Sequence, residues 1–271
     1  MERSARGTMT SSEWYGRIVS SGRLPLLTEE GVHLWTWEQA VDRDALSLLE
    51  SELSQDEWRR VRRYASNRIS RRFIVRRGML RRILGLYLKL PPRQVELYYN
   101  DHGKPLLAAN CSPPLQFNLS DSGALVALAV GSGHPLGIDI EQLRPLPDRF
   151  ALAESHLTAP ELEQFLESDI STRNIIFFRS WTRREAISKA EGRGLGPITA
   201  PFLLRDSERH SPPATRSASF PRSQDTRLHD LILPDGWVGT LAAHRKISKI
   251  EYIDYAASGS SLVGKRMTGS K

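Results

Sequence analysis

Acidic and apolar residues alternate in Leu136-Gly137-Ile138-Asp139-Ile140-Glu141, which is the period of a strand. Leu136, Ile138 and Ile140 then face a core, and Asp139 and Glu141 stand side by side on the other face. Neighbouring carboxylates repel each other unless a cation lies between them. Hard oxygen ligands of this kind suit magnesium, which keeps waters and takes further ligands from substrate phosphates. A solvent-facing edge strand carries the same pattern. A third carboxylate, Glu185, occurs in Trp181-Thr182-Arg183-Arg184-Glu185-Ala186-Ile187-Ser188-Lys189. On a helix it shares a face with Lys189, as a plain surface ion pair also would. Phe117-Asn118-Leu119-Ser120-Asp121-Ser122-Gly123 places small polar residues between apolar runs. As a loop it offers backbone N–H groups and hydroxyls to a phosphate; as a simple hairpin turn it needs no ligand. Taken singly, each set keeps both readings; a magnesium ion at Asp139 and Glu141, working on a phosphorylated, nucleotide-like substrate, is the chemical one, and Glu185 with Lys189 is the set that could join it.

The elements that must position these residues are legible from periodicity. Residues 32–38 alternate and are aromatic, as in a strand, and 43–53 and 55–64 read as short helices. Ile69, Phe73, Leu80, Ile83, Leu84 and Tyr87 recur at helical spacing, giving a long amphipathic helix over Asn67–Leu88 that Pro91-Pro92 stops. Residues 95–99 suit a strand and Gly103-Lys104-Pro105 a turn. Residues 115–119 and 124–130 read as paired strands around a loop at 120–123. After the acidic strand at 136–141, residues 152–156 are helical, and Thr158-Ala159-Pro160-Glu161 is a capping box that starts another helix. Ser171 or Thr172 caps the helix that carries Glu185 and ends near Gly192. Residues 205–226 form a Ser/Pro/Arg-rich loop, 228–233 and 237–243 a hairpin, and 251–255 a further strand. The class is α+β, with a loose segment at 1–30, one half at 31–135, a second half carrying the metal site at 136–257, and a disordered tail at 258–271.

Composition bounds the partners. The chain has 271 residues, 39% hydrophobic and 25% charged, in the range of soluble globular proteins. Its longest apolar run, residues 124–130, is far short of the ~20 residues that cross a bilayer. No secretory signal is visible, and the single cysteine, Cys111, rules out an intrachain disulfide. A cytoplasmic location is the default. The net charge of +7 points to anionic partners. Eleven arginines lie between Arg59 and Arg82, and Arg93 follows. A solvated helix face accounts for many of them, yet an arginine cluster without lysine also matches the planar fork that phosphate oxygens accept.

In their order and spacing, Gly103-Lys104-Pro105, Phe117-Asn118-Leu119-Ser120-x-Ser122, Gly137-Ile138-Asp139-Ile140-Glu141 and Trp181-Thr182-x-x-Glu185-Ala186-x-x-Lys189 resemble the Sfp-type 4′-phosphopantetheinyl transferase family. The resemblance covers roughly residues 32–243 and includes Leu53-Ser54-x-x-Glu57 and Arg77-x-x-Leu80-Arg81. It implies two pseudo-symmetric α/β lobes with coenzyme A bound between them. It also implies magnesium-dependent transfer of the phosphopantetheine arm to a serine of an acidic acyl or peptidyl carrier protein, releasing 3′,5′-ADP. By the resemblance, Asp139, Glu141 and Glu185 ligate magnesium together with the coenzyme pyrophosphate. Lys104 lies near the nucleotide, Ser120 touches its phosphate, and Arg60 and Arg72 surround the nucleotide phosphates. Glu185, or a metal-bound water, is the candidate base for the serine proton, and Lys189 neutralises or protonates the leaving group.

Three positions depart from the family pattern. Asp121 stands where a histidine meets the 3′-phosphate, so a carboxylate there repels the ligand unless it is protonated or turned towards an arginine. Glu57 stands where a basic residue is expected, and Arg184 replaces a lysine. A catalytically impaired homologue that binds coenzyme A or a carrier is the alternative. The arginines are not interleaved with aromatic residues and match no recognition helix, which argues against nucleic acid. No Gly-x-Ser-x-Gly, histidine metal spacing or dinucleotide fingerprint is present. With two internal halves, a monomer suffices to build the site.

Overall fold

Val, Leu and Trp crowd Gly31–Glu38 (β1) because both faces of this strand are covered. The computed structural model describes residues 24–101, 103–108, 113–146, 149–192 and 225–254. After β1 come the helices Arg43–Ser51 (α1), Gln55–Val61 (α2) and Asn67–Leu88 (α3). A small hairpin of Leu97–Tyr99 (β2) and Pro105–Leu107 (β3) precedes the long hairpin Leu115–Ser122 (β4) and Leu125–Ser132 (β5). Gly137–Gln142 (β6) is followed by the helices Arg149–His156 (α4), Ala159–Glu167 (α5) and Ile170–Glu191 (α6). The strands Thr226–Asp230 (β7), Trp237–His244 (β8) and Lys249–Asp254 (β9) complete the described chain.

The first sheet has the order β4-β5-β1-β9 and the second β6-β8-β7. Strand alternation assigns each face of the first sheet its own core. Trp35, Trp37, Val126, Leu128 and Val130 point to one side, where Phe73, Met79, Leu80, Ile83 and Leu84 of α3 cover them. Val32, Leu34, Leu125, Ala127 and Ala129 point to the other and meet Ile138 and Ile140 of β6 with Leu241 and Ala243 of β8. The far face of the second sheet carries Ala242 against Ala186 and Ile187 of α6. The layers are therefore helix, sheet, sheet, helix, an α+β arrangement.

β9 runs parallel to β1, pairing Val32 with Ile250 and Leu34 with Tyr252. A strand from the expected second half, 136–257, thus belongs to the sheet of the first. The loop expected at 120–123 is corrected. β4 continues through Ser122, and the connection to β5 is Gly123-Ala124, with Gly123 at φ 55°. Asp169, rather than Ser171 or Thr172, caps α6, because its carboxylate accepts the N–H groups of both. Most of 1–30, the loop residues 205–224 and the tail 258–271 lie outside the described residues. No described helix is long and apolar enough to cross a membrane.

The arginine-rich stretch divides. Arg59, Arg60, Arg62, Arg63, Arg68 and Arg71 are exposed. Arg81 and Arg82 are buried, and each has a carboxylate: Arg81 Nε donates to Glu57 at 2.6 Å, and Arg82 makes two bonds to Glu52 at 2.6 and 2.7 Å. Arg77 also lies 3.4 Å from Glu57 and stacks on Phe73 and Tyr99. Glu57 accepts the Ser54 N–H in the α2 capping box as well. This departure from the family pattern therefore serves the core: it anchors α2 to α3. Losing one partner of such a buried pair costs about 3–5 kcal/mol.

Candidate active site at the seam of the two sheets

Among the described residues, no strand forms a backbone ladder with the edge of β6 that faces β4. Its N–H groups at Ile138, Ile140 and Gln142 are instead accepted by the side chains of Asn118, Ser120 and Ser122, at 2.8, 3.3 and 3.0 Å. Both strands repeat every two residues, so a constant offset of twenty keeps three side chains in register with three N–H groups. That is the physical reason for small polar residues at 118, 120 and 122: each meets an otherwise unpaired buried donor. These three side chains, and not the backbone of a loop, are what the segment presents.

The hydroxyls do a second task. Ser120 Oγ donates to Asp139 Oδ1 at 2.8 Å, and Ser122 Oγ donates to Glu141 Oε2 at 2.7 Å. Lys189 of α6 places its ammonium 2.6 Å from Asp139 Oδ1 and 3.1 Å from Ser120 Oγ. Arg144 reaches Glu141 Oε2 at 3.0 Å. Asp139 is 2% exposed, and its Oδ2 is buried without a hydrogen-bond partner among the described residues. Burial, and then the charge of Asp139, push the Glu141 carboxyl upward from its ordinary value.

Glu185 is buried on the face of α6 that covers the second sheet. One turn before it, Thr182 Oγ1 lies 3.1 Å from Thr240 Oγ1, and Thr240 is the cross-strand neighbour of Asp139. One turn after it, Lys189 touches Asp139. Among the described residues, no three His, Cys, Asp or Glu side chains meet as a ready-made metal site. Like charges converge only around a cation, and the cation touching Asp139 is the Lys189 ammonium. A divalent ion nevertheless fits the donor set. An unpartnered buried carboxylate oxygen beside a second carboxylate driven towards its neutral form is a site short of positive charge.

The other expected site residues are dispersed. Asp121 lies on the opposite face of β4 from Ser120 and Ser122, towards α3. Its Oδ1 accepts from Arg76 at 2.6 Å, and its Oδ2 from Arg72 at 3.3 Å and Gln39 at 3.2 Å. The carboxylate is thus turned onto two arginines, which answers the repulsion expected at this position. Arg72 also donates to Gln39 Oε1 and to the Gly123 carbonyl. Arg60 is exposed, bonded to the Tyr64 hydroxyl at 2.8 Å and stacked on Phe73. The Lys104 ammonium lies on the carbonyls of Leu136 and Lys189 at 3.2 and 2.6 Å. Arg184 faces Glu161 of α5 at 3.7 Å, away from the carboxylates of the seam. Sequence reasoning placed Asn118 and Ser122 in a phosphate-facing loop without the role they have here, and missed Arg144. The first two carried a signal, their even spacing with Ser120; Arg144 follows the strand and carried none.

Asp121→Ala should lower stability by about 1–3 kcal/mol, because two partly buried guanidinium groups lose their common acceptor. The denaturant midpoint reads this, and an unchanged midpoint would mean that these bonds contribute nothing.

Comparison with known proteins bears on this seam directly. Residues 36–133 match the model of the 4′-phosphopantetheinyl transferase N-terminal domain, and residues 135–242 match that of the 4′-phosphopantetheinyl transferase superfamily. The two matches adjoin between β5 and β6, so β4 falls in one and β6 in the other. 4′-Phosphopantetheinyl transferase HetI of Nostoc sp. (strain PCC 7120) is 39% identical over 176 residues, which span 65% of this chain and 74% of that protein. The transferase psf-1 of Bacillus pumilus is 32% identical over 139 residues, 51% of this chain and 58% of psf-1. Sfp of Bacillus subtilis (strain 168) is 26% identical over 155 residues, 57% of this chain and 67% of Sfp. With both models placed on either side of the carboxylate seam and a relative of this identity aligned over most of its length, the chain belongs to the 4′-phosphopantetheinyl transferase superfamily.

Proposed function

We propose that this transferase moves the 4′-phosphopantetheine arm of coenzyme A to a serine of an apo acyl or peptidyl carrier protein, with magnesium. The observation that carries the reading is the contact of Ser120, Asp139 and Lys189 at 2.6–3.1 Å, with Glu141 two residues along the same strand. Coenzyme A lies between two pseudo-symmetric lobes, one on each side of the β4–β6 seam.

Asp139, Glu141 and Glu185 would hold the ion. Bound there, magnesium supplies positive charge against the non-bridging oxygens of the pyrophosphate. Glu185 takes the proton of the carrier serine. The serine oxygen forms a bond to the pantetheine-side phosphorus, and the bond from that phosphorus to the bridging oxygen breaks. The electron pair leaves on 3′,5′-ADP, whose phosphate the Lys189 ammonium neutralises. Ser120 keeps Asp139 oriented while Lys189 serves the leaving group. The seam is built from one chain, which suits a monomer. The exposed arginines of α2 and of the start of α3, from Arg59 to Arg71, steer an acidic carrier domain.

The test is transfer of a labelled arm from coenzyme A to apo carrier proteins. The expected result is a carrier heavier by one phosphopantetheine, with a KM for the carrier that rises several-fold from low to high salt. Coenzyme A binding without transfer to any carrier would sink the enzyme reading, and a salt-independent KM would sink the steering.

A further inference from the structure

The Lys104 ammonium is held by protein carbonyls from two distant parts of the chain. The β2–β3 hairpin puts that ammonium on the Lys189 carbonyl at 2.6 Å and the Leu136 carbonyl at 3.2 Å. One acceptor is in the last turn of α6, and the other immediately precedes β6. Asn100, four residues before Lys104, completes the attachment. Its Oδ1 accepts the Lys104 N–H at 2.9 Å, and its Nδ2 donates to the Gly192 carbonyl at 3.1 Å.

The last turn of a helix leaves carbonyls without intrahelical donors and carries the negative end of the helix dipole. Gly192, left-handed at φ 71°, returns its own N–H to Lys189 and Ser188. Lys104 and Asn100 bring two more donors from a different part of the chain. Burial, and then the nearby charge of Lys189, push the Lys104 ammonium down to about 8. A cation is therefore kept at an unfavourable place, and two of its three N–H groups are committed to protein carbonyls.

We infer that Lys104 is a positioning residue: with Asn100 it fixes the last turn of α6 to the start of β6, so that the Lys189 ammonium lands on Asp139 and Ser120. Lys189 carries both ends of this relation, its carbonyl on Lys104 and its ammonium on Asp139. A shift of the turn moves the ammonium with it. A misplacement near 1 Å can cost about a hundredfold in rate, and loss of one of two ties should cost about tenfold.

The inference rests on the transferase reading, and kinetics separate the two. Lys104→Met keeps most of the stem and removes the donors; Asn100→Leu removes the second tie and has no charge to offer a phosphate. Steady-state transfer to an apo carrier and calorimetric binding of coenzyme A are measured for both. In each variant kcat should fall about tenfold, while KM and Kd for coenzyme A stay within about twofold. A Lys104→Met variant with weakened coenzyme binding and intact kcat would make Lys104 a phosphate contact and overturn the inference. If Lys104→Met does not fold, Asn100→Leu decides: an unchanged kcat there overturns it too. A wild-type protein that binds coenzyme A but transfers to no carrier would remove the functional reading itself.

Discussion

Gly137→Ala should destabilise the protein by about 3 kcal/mol or more and cut transfer at least about a hundredfold. A β-carbon at this position would stand 2.1 Å from the Ala186 carbonyl oxygen and 2.3 Å from the Ala190 nitrogen. Both atoms are backbone of α6, so no side-chain rotation relieves the clash. The helix and β6 must separate, and overpacking of this kind costs about 1–3 kcal/mol even where side chains can yield. The functional loss follows from position. Ala186 and Ala190 each directly follow a proposed catalytic residue, Glu185 and Lys189, on the same turns of α6. Urea midpoints and transfer rates measure the two effects. A variant as stable and active as the parent would show that the close approach of α6 to β6 is not needed.

Asp139→Asn should abolish most activity, on the order of a thousandfold, at little expense in stability. Two opposing effects set the second half of this expectation. Asp139 is the counter-charge of Lys189 at 2.6 Å, so neutralising it removes an ion pair. It is also the neighbour that helps push Glu141 upward, so neutralising it relieves a repulsion. The two effects oppose each other, and asparagine can still accept from Ser120 and Lys189. The net change should stay within about 2 kcal/mol, whereas Asp139→Ala, which leaves a cavity and an unpaired ammonium, costs about 3–5 kcal/mol. A readout independent of activity comes from metal titration. Magnesium should raise the melting temperature of the parent and not that of Asp139→Asn. Equal shifts in both proteins would exclude Asp139 as a ligand.

The acidic strand was legible because one face of β6 is apolar and the other is not. Alternation alone sorted Leu136, Ile138 and Ile140 from Asp139 and Glu141. Helix α3 was equally plain, since a 22-residue periodic run between Ser66 and Lys89 has one interpretation. The segment at 120–122 was misread for a physical reason. Small polar residues before a glycine signal a loop when they face water, but here they face the unpaired edge of another strand, and only the tertiary structure supplies that edge. Lys104 was similarly ambiguous. Its turn could be read from Gly103, but the carbonyls it meets are 32 and 85 residues away in the chain. Buried arginines are also indistinguishable by type from exposed ones. What decides for Arg81 and Arg82 is the pair of carboxylates at Glu57 and Glu52, which sequence reading assigned to other roles or to none.

The parallel pairing of β9 with β1 has a consequence for how the chain can be divided. The two family models meet near residue 134, and that junction looks like the natural place to cut. A fragment ending there would keep β4, β5 and β1 but lose the strand that covers the outer edge of β1. Its open edge would be an apolar, aromatic strand with unpaired N–H and C=O groups, the kind of template on which chains stack into aggregates. The sheet that bears Asn118, Ser120 and Ser122 is completed only when residues 249–254 arrive. Neither half is therefore a closed unit: the sheet that forms one side of the β4–β6 seam is closed at its opposite edge by a strand from the far end of the described chain.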